Sequence, residues 1–248
     1  MLPKLIHFVW TGPPMPALAA DIVQRWRDLN PEHEVMVHGD EVLLPEYAER
    51  VAEIDDPSAV SDLLRYSALA RYGGWYADVD MFPLRPVADA ERAWRLDGSC
   101  LYCGVQQPGR NETHPEYLNG AVLSIGTDSP AWPIIHEMIT EGRWEHRTEY
   151  GPRLITKFAR EHPDLVTVAG RMWWYSVPPA SKWTGEIYRR LLDGDHEAAR
   201  AYSSGDYSGN GCLRFGTDYL DGQYPFGIHF WAYRWAEKGW NGRNMSKA

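Results

Sequence analysis

Leu5-Ile6-His7-Phe8-Val9-Trp10 is a short apolar run halted by Thr11-Gly12-Pro13-Pro14, the pattern of a buried strand that runs out into a loop. A helical period follows from Leu18 to Leu29, with Ile22, Val23, Trp26 and Leu29 on one face and Asn30-Pro31 as its stop. Glu34 to His38 alternates as a second strand. The helical pattern resumes at Pro57-Ser58 and ends at Tyr72, where Gly73-Gly74 supplies a helix stop. Trp75 to Val79 reads as a strand, broken off by Pro83 and Pro86. Beyond it the pattern predicts strands at Cys100–Gln106 and Ala121–Ile125, helices at Pro130–Glu141 and Pro152–Glu161, a strand at Leu165–Ala169, a helix at Gly185–Tyr202 and a last strand at Phe226–Phe230. Ser203 to Gln223, rich in Gly, Ser and Asp, reads as a long loop, and its place just before the last strand suggests a lid. Strands alternating with helices predict an α/β fold with a largely parallel sheet flanked by helices. No internal repeat or linker interrupts residues 1–248, so a single domain is expected.

Composition narrows the function. Of 248 residues, 44% are hydrophobic and 24% charged, and the mean hydropathy is -0.47. No run of about 18 apolar residues is present, so no transmembrane helix is expected. The net charge of -9 disfavours polyanion binding, because nucleic-acid affinity rests on neutralising phosphates, although a local basic groove would still allow it. Cys100 and Cys103 form a CxxC with no second pair to complete a zinc site, and they read as thiols on a buried strand of a reduced protein. The first strand begins so early that no cleavable leader fits before it. A cytoplasmic location is therefore expected.

The sharpest chemistry lies in Gly73-Gly74-Trp75-Tyr76-Ala77-Asp78-Val79-Asp80. A strand alternates faces, so Asp78 and Asp80 are expected to point the same way. Adjacent carboxylates repel, and a hard divalent cation, Mn²⁺ or Mg²⁺, offsets that repulsion; the bland alternative is an acidic pair facing solvent at a turn. Upstream, Ser61, Asp62 and Arg65 share one helix face by their spacing. They make either a surface salt bridge or a fork of donors and acceptors for sugar hydroxyls.

The constellation Pro3-Lys4-x-Ile6-His7-x-x-Trp10-x-Gly12, Ser61-Asp62-x-x-Arg65-Tyr66 and Gly73-Gly74-x-Tyr76-x-Asp78-x-Asp80 resembles the DXD-motif glycosyltransferases of family 32. That family includes yeast-type α-mannosyltransferases and bacterial polysaccharide sugar transferases, with the clostridial glucosylating toxins as relatives. The resemblance continues through Leu118-Asn119-Gly120-Ala121, Gly151-Pro152, Ile228-His229-Phe230-Trp231 and Trp235. It implies a GT-A type, Rossmann-like nucleotide-sugar-binding fold. It further implies that Trp10 stacks on the base, that Ser61 and Tyr76 lie beside the nucleotide, and that Asp62 and Arg65 grip the donor sugar. Asp78 would face ribose and metal, Asp80 and His229 would ligate the metal, Asn119 would lie near the sugar and Trp235 near the diphosphate. Each has a plainer alternative: Trp10 as a core plug, His229 as a satisfied core histidine, Asn119 as a turn residue. His7 and Tyr66 are assigned to packing. Arg234 and Tyr150 stand where the family often has Ser and Thr, so phosphate and acceptor contacts are expected to differ.

The implied activity is metal-dependent sugar transfer, with retention, from a nucleotide diphosphate sugar, UDP favoured over GDP, to a hydroxyl on a glycan or glycoside. A hydroxylated DNA base is the alternative acceptor. A phosphohydrolase also uses Asp-x-Asp but leaves the Trp10 and His229 blocks unexplained. A sugar-binding module, which the 13% aromatic content would suit, does not need paired carboxylates. The two readings of Trp10 separate in one variant. If it stacks on the base, Trp10→Ala raises the donor KM by a factor corresponding to about 1–3 kcal/mol. A core plug instead lowers the melting temperature and leaves the donor affinity of the folded protein unchanged.

Overall fold

The structure, a computed structural model, describes residues 2–12, 14–107, 117–142, 149–170, 174 and 226–229. The expected helix Gly185–Tyr202, the loop Ser203–Gln223, and Arg234 and Trp235 lie outside the described residues. In chain order the elements are β1 (Leu5–Val9), α1 (Ala17–Leu29), β2 (Glu34–His38), α2 (Ala48–Ala52), α3 (Pro57–Tyr72), β3 (Gly74–Ala77), β4 (Met81–Pro83), α4 (Val87–Trp94), β5 (Leu101–Gln107), β6 (Tyr117–Ile125), α5 (Ala131–Glu141), α6 (Leu154–Glu161), β7 (Val166–Ala169) and β8 (Gly227–His229).

The main sheet has the order β2-β1-β3-β6-β5-β7. β1 pairs in parallel with β2 and β3, β7 pairs in parallel with β5, and β6 alone runs against its neighbours. The sheet is therefore largely parallel, as the alternating pattern predicts. Its inner strands are apolar on both faces because helices cover both. Ile6, Phe8 and Trp75 pack with Ile22, Val23 and Trp26 of α1 on one side. Val9 and Tyr76 pack with Leu63, Leu64 and Leu69 of α3 on the other, together with Ile135 and Phe158.

Two expectations are corrected, and the last strand, whose partner the pattern leaves open, is placed. The strand after Gly73 stops at Ala77, so Asp78 and Asp80 are not alternating strand residues. They occupy a tight turn in which the Met81 amide donates to the Asp78 carbonyl at 2.9 Å. The last strand does not join the main sheet but pairs antiparallel with β4. Cys100 precedes β5 and is half-buried, and only Cys103 is a buried strand thiol. The short helices α2 and α4 were not predicted. The first buries no residue and the second only Val87 and Ala90, which leaves little apolar period to read.

α3 has its boundaries where the sequence puts them because both ends are chemically marked. The Asp56 carboxylate accepts from the Ser58 amide at 2.8 Å, and Pro57 opens the first turn. At the other end Gly73 has φ +64° and Gly74 φ +96°, and a Cβ on Gly74 would lie 2.6 Å from the Leu5 carbonyl oxygen.

His7, buried in β1, ties this corner to the sheet. Its Nε2 donates to the Gly73 carbonyl at 2.8 Å, so its Nδ1 accepts from His38 Nε2 at 2.9 Å. Burial pulls the His7 imidazole down to about 4, against the Gly73 carbonyl and with the help of His38. The folded chain thus binds a proton at His7 less readily than the unfolded chain. The associated stability is complete above about pH 6.5 and is lost as pH falls towards 4, on the order of 3 kcal/mol in all. Urea unfolding at pH 7 and pH 4.5 should show this loss in the wild-type chain and a smaller loss in His7→Gln. An undiminished loss in the variant would refute the assignment.

Candidate active site

The turn after β3 and the end of β8 build one cluster. The Asp78 amide donates to the Ala121 carbonyl at 2.8 Å, which fixes the turn against β6. In the β4–β8 register His229 stands opposite Met81, directly after Asp80. One ligand atom each from Asp78, Asp80 and His229 lies within 4.8 Å of the others. His229 Nε2 is 3.1 Å from Asp80 Oδ1 and 3.9 Å from Asp78 Oδ2. His229 is buried, and both aspartates are partly exposed. Two carboxylates with one imidazole, partly open on the carboxylate side, form a donor set that fits Mn²⁺ or Mg²⁺.

Asp62 and Arg65 of α3 lie beside this cluster, each only 6% exposed. They are not the exposed salt bridge that their spacing would also allow. Arg65 Nη2 sits 2.8 Å from Asp62 Oδ1 and 3.2 Å from Asp78 Oδ1, so one buried cation serves two carboxylates. Its guanidinium carbon is 4.8 Å from the centroid of the Tyr76 ring. The Tyr76 hydroxyl donates to Asp78 Oδ1 at 2.7 Å, and the Ser61 side chain hydrogen-bonds to Tyr76. The structure therefore brings Ser61, Asp62 and Arg65 to one face, as their spacing implies. Burial pushes the Asp62 carboxyl up to about 7 against the pull of Arg65, and Asp78 and Asp56 add to the rise.

Two glycines of the motif blocks form walls around this pair. A Cβ on Gly120 would lie 2.6 Å from Arg65 Nη1, and one on Gly151 would lie 2.5 Å from Asp62 Oδ2. Neither has a positive φ; at Gly120 it is space that favours glycine, and at Gly151 space acts together with a backbone at ψ -110°. Gly151 lies in a kinked helical turn over Glu149–Arg153, where the Tyr150 carbonyl accepts from the Tyr66 hydroxyl at 2.9 Å. Tyr66 thus packs as expected, with its hydroxyl satisfied.

Asn119 sits in β6 where that strand bulges away from β5. β6 runs from Ser124 to Asn119 while β5 advances only from Tyr102 to Gly104. Asn119 Oδ1 accepts from the Ala121 amide at 2.7 Å and its Nδ2 donates to Gln106 Oε1 at 2.7 Å. Gln106 carries no motif that would single it out in the sequence. Its position follows only from the register of β5 against the bulge. Trp10 follows β1 at its carboxyl end, partly exposed, with its amide donating to the His38 carbonyl at 2.9 Å. Because β1 and β3 are neighbours, Trp10 and Asp78 lie at the same end of the sheet.

Residues 16–95, which hold Ser61, Asp62, Arg65, Tyr76, Asp78 and Asp80, match a family model described as the glycosyltransferase sugar-binding region containing a DXD motif. Over 155 residues the chain is 30% identical to the Saccharomyces cerevisiae protein HOC1, a match covering 56% of this chain and 38% of that protein. The chain thus spans well under half the length of this curated relative. Among solved structures, PaToxG glycosyltransferase matches with a TM-score of 0.48 at 14% identity, over 82% of this chain and 79% of that one. The UDP-bound glycosyltransferase domain of the YGT toxin matches with a TM-score of 0.43 at 12% identity, over 68% and 79%.

The contact between Gly151 and Asp62 predicts a coupled pair. Gly151→Ala should cost about 1–3 kcal/mol in urea unfolding, the usual range for overpacking. In an Asp62→Ala background the added methyl meets a shortened neighbour, and the cost should shrink by about 0.5 kcal/mol or more. Equal costs in both backgrounds would mean that the methyl strikes something other than the carboxylate.

Proposed function

We propose that the protein is a metal-dependent glycosyltransferase of GT-A type. In this reading it moves a sugar from a nucleotide diphosphate sugar, UDP-sugar in preference to GDP-sugar, to an acceptor hydroxyl with retention of configuration. The observation that carries the reading is the convergence of Asp78, Asp80 and His229 beside the buried Asp62–Arg65 pair, within and next to a DXD sugar-binding region.

Asp78, Asp80 and His229 would hold Mn²⁺ or Mg²⁺. When bound, the cation supplies Lewis-acid stabilisation of the leaving diphosphate. Arg65 keeps the first carboxylate and Asp62 in place and balances part of their charge. Asp62, with its raised carboxyl, accepts or donates hydrogen bonds to sugar hydroxyls near neutral pH. Trp10, at the same sheet end as Asp78, offers an aromatic face to the base, and Trp235 is assigned to the diphosphate. Asn119 spends its oxygen and one amide hydrogen on the fold and keeps its second amide hydrogen for the donor sugar. The acceptor would come close to the leaving phosphate, which takes its proton as the glycosidic bond forms on the same face.

The net charge of -9 supports a glycan or glycoside acceptor over nucleic acid. Residues 1–248 are taken as one domain. No helix among the described residues is long and apolar enough to cross a membrane. The free thiols of Cys100 and Cys103 suit a reducing, cytoplasmic setting.

The test is turnover of UDP-sugars with Mn²⁺, followed by release of nucleoside diphosphate. EDTA should abolish turnover and added Mn²⁺ restore it, and Asp80→Ala should lower kcat by about 10²–10³. Full turnover in excess EDTA would overturn the metal dependence. Release of inorganic phosphate in place of nucleoside diphosphate would make the protein a phosphohydrolase.

A further inference from the structure

The family resemblance sets Tyr76 beside the nucleotide, but the ring has no open face to offer. Tyr76 is 1% exposed and lies on β3, with β1 and β6 on either side. The Arg65 guanidinium covers its ring, and apolar side chains of α3 and α6 share the same core layer. Its hydroxyl is committed to Asp78 Oδ1.

We infer that Tyr76 is a positioning residue that, together with Arg65, holds one oxygen of Asp78 so that the other faces the cation site. The inference rests on the cation reading of the Asp78–Asp80–His229 cluster. Asp78 lies just past the end of β3, where no strand pairing restrains its side chain. A carboxylate turns easily about its last torsion, since such sp³–sp² rotations are broad. Two donors stop that rotation: the Tyr76 hydroxyl at 2.7 Å and Arg65 Nη2 at 3.2 Å both point at Oδ1. Oδ2 is left facing His229 Nε2, at 3.9 Å. Ser61 hydrogen-bonds to Tyr76 and extends the chain of contacts back to α3.

The arrangement also sets which ion is preferred. With Oδ1 taken, Asp78 can give a metal a single oxygen. Mn²⁺ and Mg²⁺, with few protein ligands and near-octahedral geometry, lose nothing by this. Ca²⁺ gathers six to eight oxygens and often takes a carboxylate through both, so it is disfavoured. Tyr76→Phe keeps the ring in the core and removes the stronger restraint.

The experiment is a Mn²⁺ titration of the full chain, with no nucleotide, read by the EPR signal of free Mn²⁺ and repeated with Ca²⁺ as competitor. Melting temperatures establish that each variant is folded. Tyr76→Phe should weaken Mn²⁺ binding by about 10–100-fold, the range for losing a partner that orients a metal ligand. Its Ca²⁺ affinity should fall less, so that the preference for Mn²⁺ over Ca²⁺ narrows. A Tyr76→Phe chain that binds Mn²⁺ as tightly as the wild type, yet binds UDP more weakly in EDTA, would return Tyr76 to the nucleotide and overturn the inference. Should Tyr76→Phe not fold, Ser61→Ala cuts the same chain at a partly exposed position. It should give a smaller loss of Mn²⁺ affinity in the same direction, and an unchanged affinity there counts against the inference. In the wild-type chain Asp80→Ala must abolish Mn²⁺ binding. If the wild type binds no Mn²⁺, or Asp80→Ala binds it equally well, the cation reading itself fails and takes the Tyr76 inference with it.

Discussion

A guanidinium taken out of water must be surrounded by groups that replace the water. Arg65 is 6% exposed, and much of the candidate site can be understood as the set of groups that makes its burial tolerable. Asp62 and Asp78 supply charge, and Tyr76 supplies a ring face. Gly120 and Gly151 bring backbone closer than any side chain would permit. Buried pairs of this kind seldom add much net stability, because desolvation cancels most of the attraction, but removing one partner strands the other at a cost of about 3–5 kcal/mol. Such an arrangement specifies geometry more than it stabilises the fold. Here the geometry specified is the orientation of Asp78.

The surplus of negative charge follows from the same count. Asp62, Asp78 and Asp80 converge on a region where Arg65 is the buried guanidinium. Burial holds the Asp62 carboxyl raised, and the Asp78 charge adds to the rise. The partly exposed pair at the turn remains, with an imidazole beside it, and in the proposed reading a divalent ion would complete the balance. The topology permits this because β3 ends early and β4 turns away to pair with β8. A two-stranded sheet thus carries His229 to a turn that the main sheet has just released.

How far the sequence revealed this depends on whether the signal was local. α3 was legible to the residue because a carboxylate cap, a proline and a glycine pair mark its ends, and β1 and β2 were legible from apolar runs bounded by turn residues. The candidate residues were picked out by short patterns, Asp-x-Asp and Ser-Asp-x-x-Arg. Their manner of meeting was not legible. Alternation on a strand and a tight turn both bring residues two apart to one side, and nothing within Asp78-Val79-Asp80 distinguishes them. The partner of β8 was hidden for a different reason: Ile228-His229 suits any strand, and nothing in it names β4 as the neighbour. The burial of Tyr76 was not legible, because it depends on Arg65 crossing over from α3.

The distance along the chain between the members of the cation cluster also has a consequence in time. Asp80 and His229 are separated by 149 residues. At synthesis rates of about 5–20 residues per second, roughly 7–30 s pass between their emergence from the ribosome. During that interval the chain holds both carboxylates but not the imidazole. A nascent or prematurely terminated chain can therefore carry Asp78 and Asp80 while lacking the third donor. The cluster closes only in chains translated at least as far as His229.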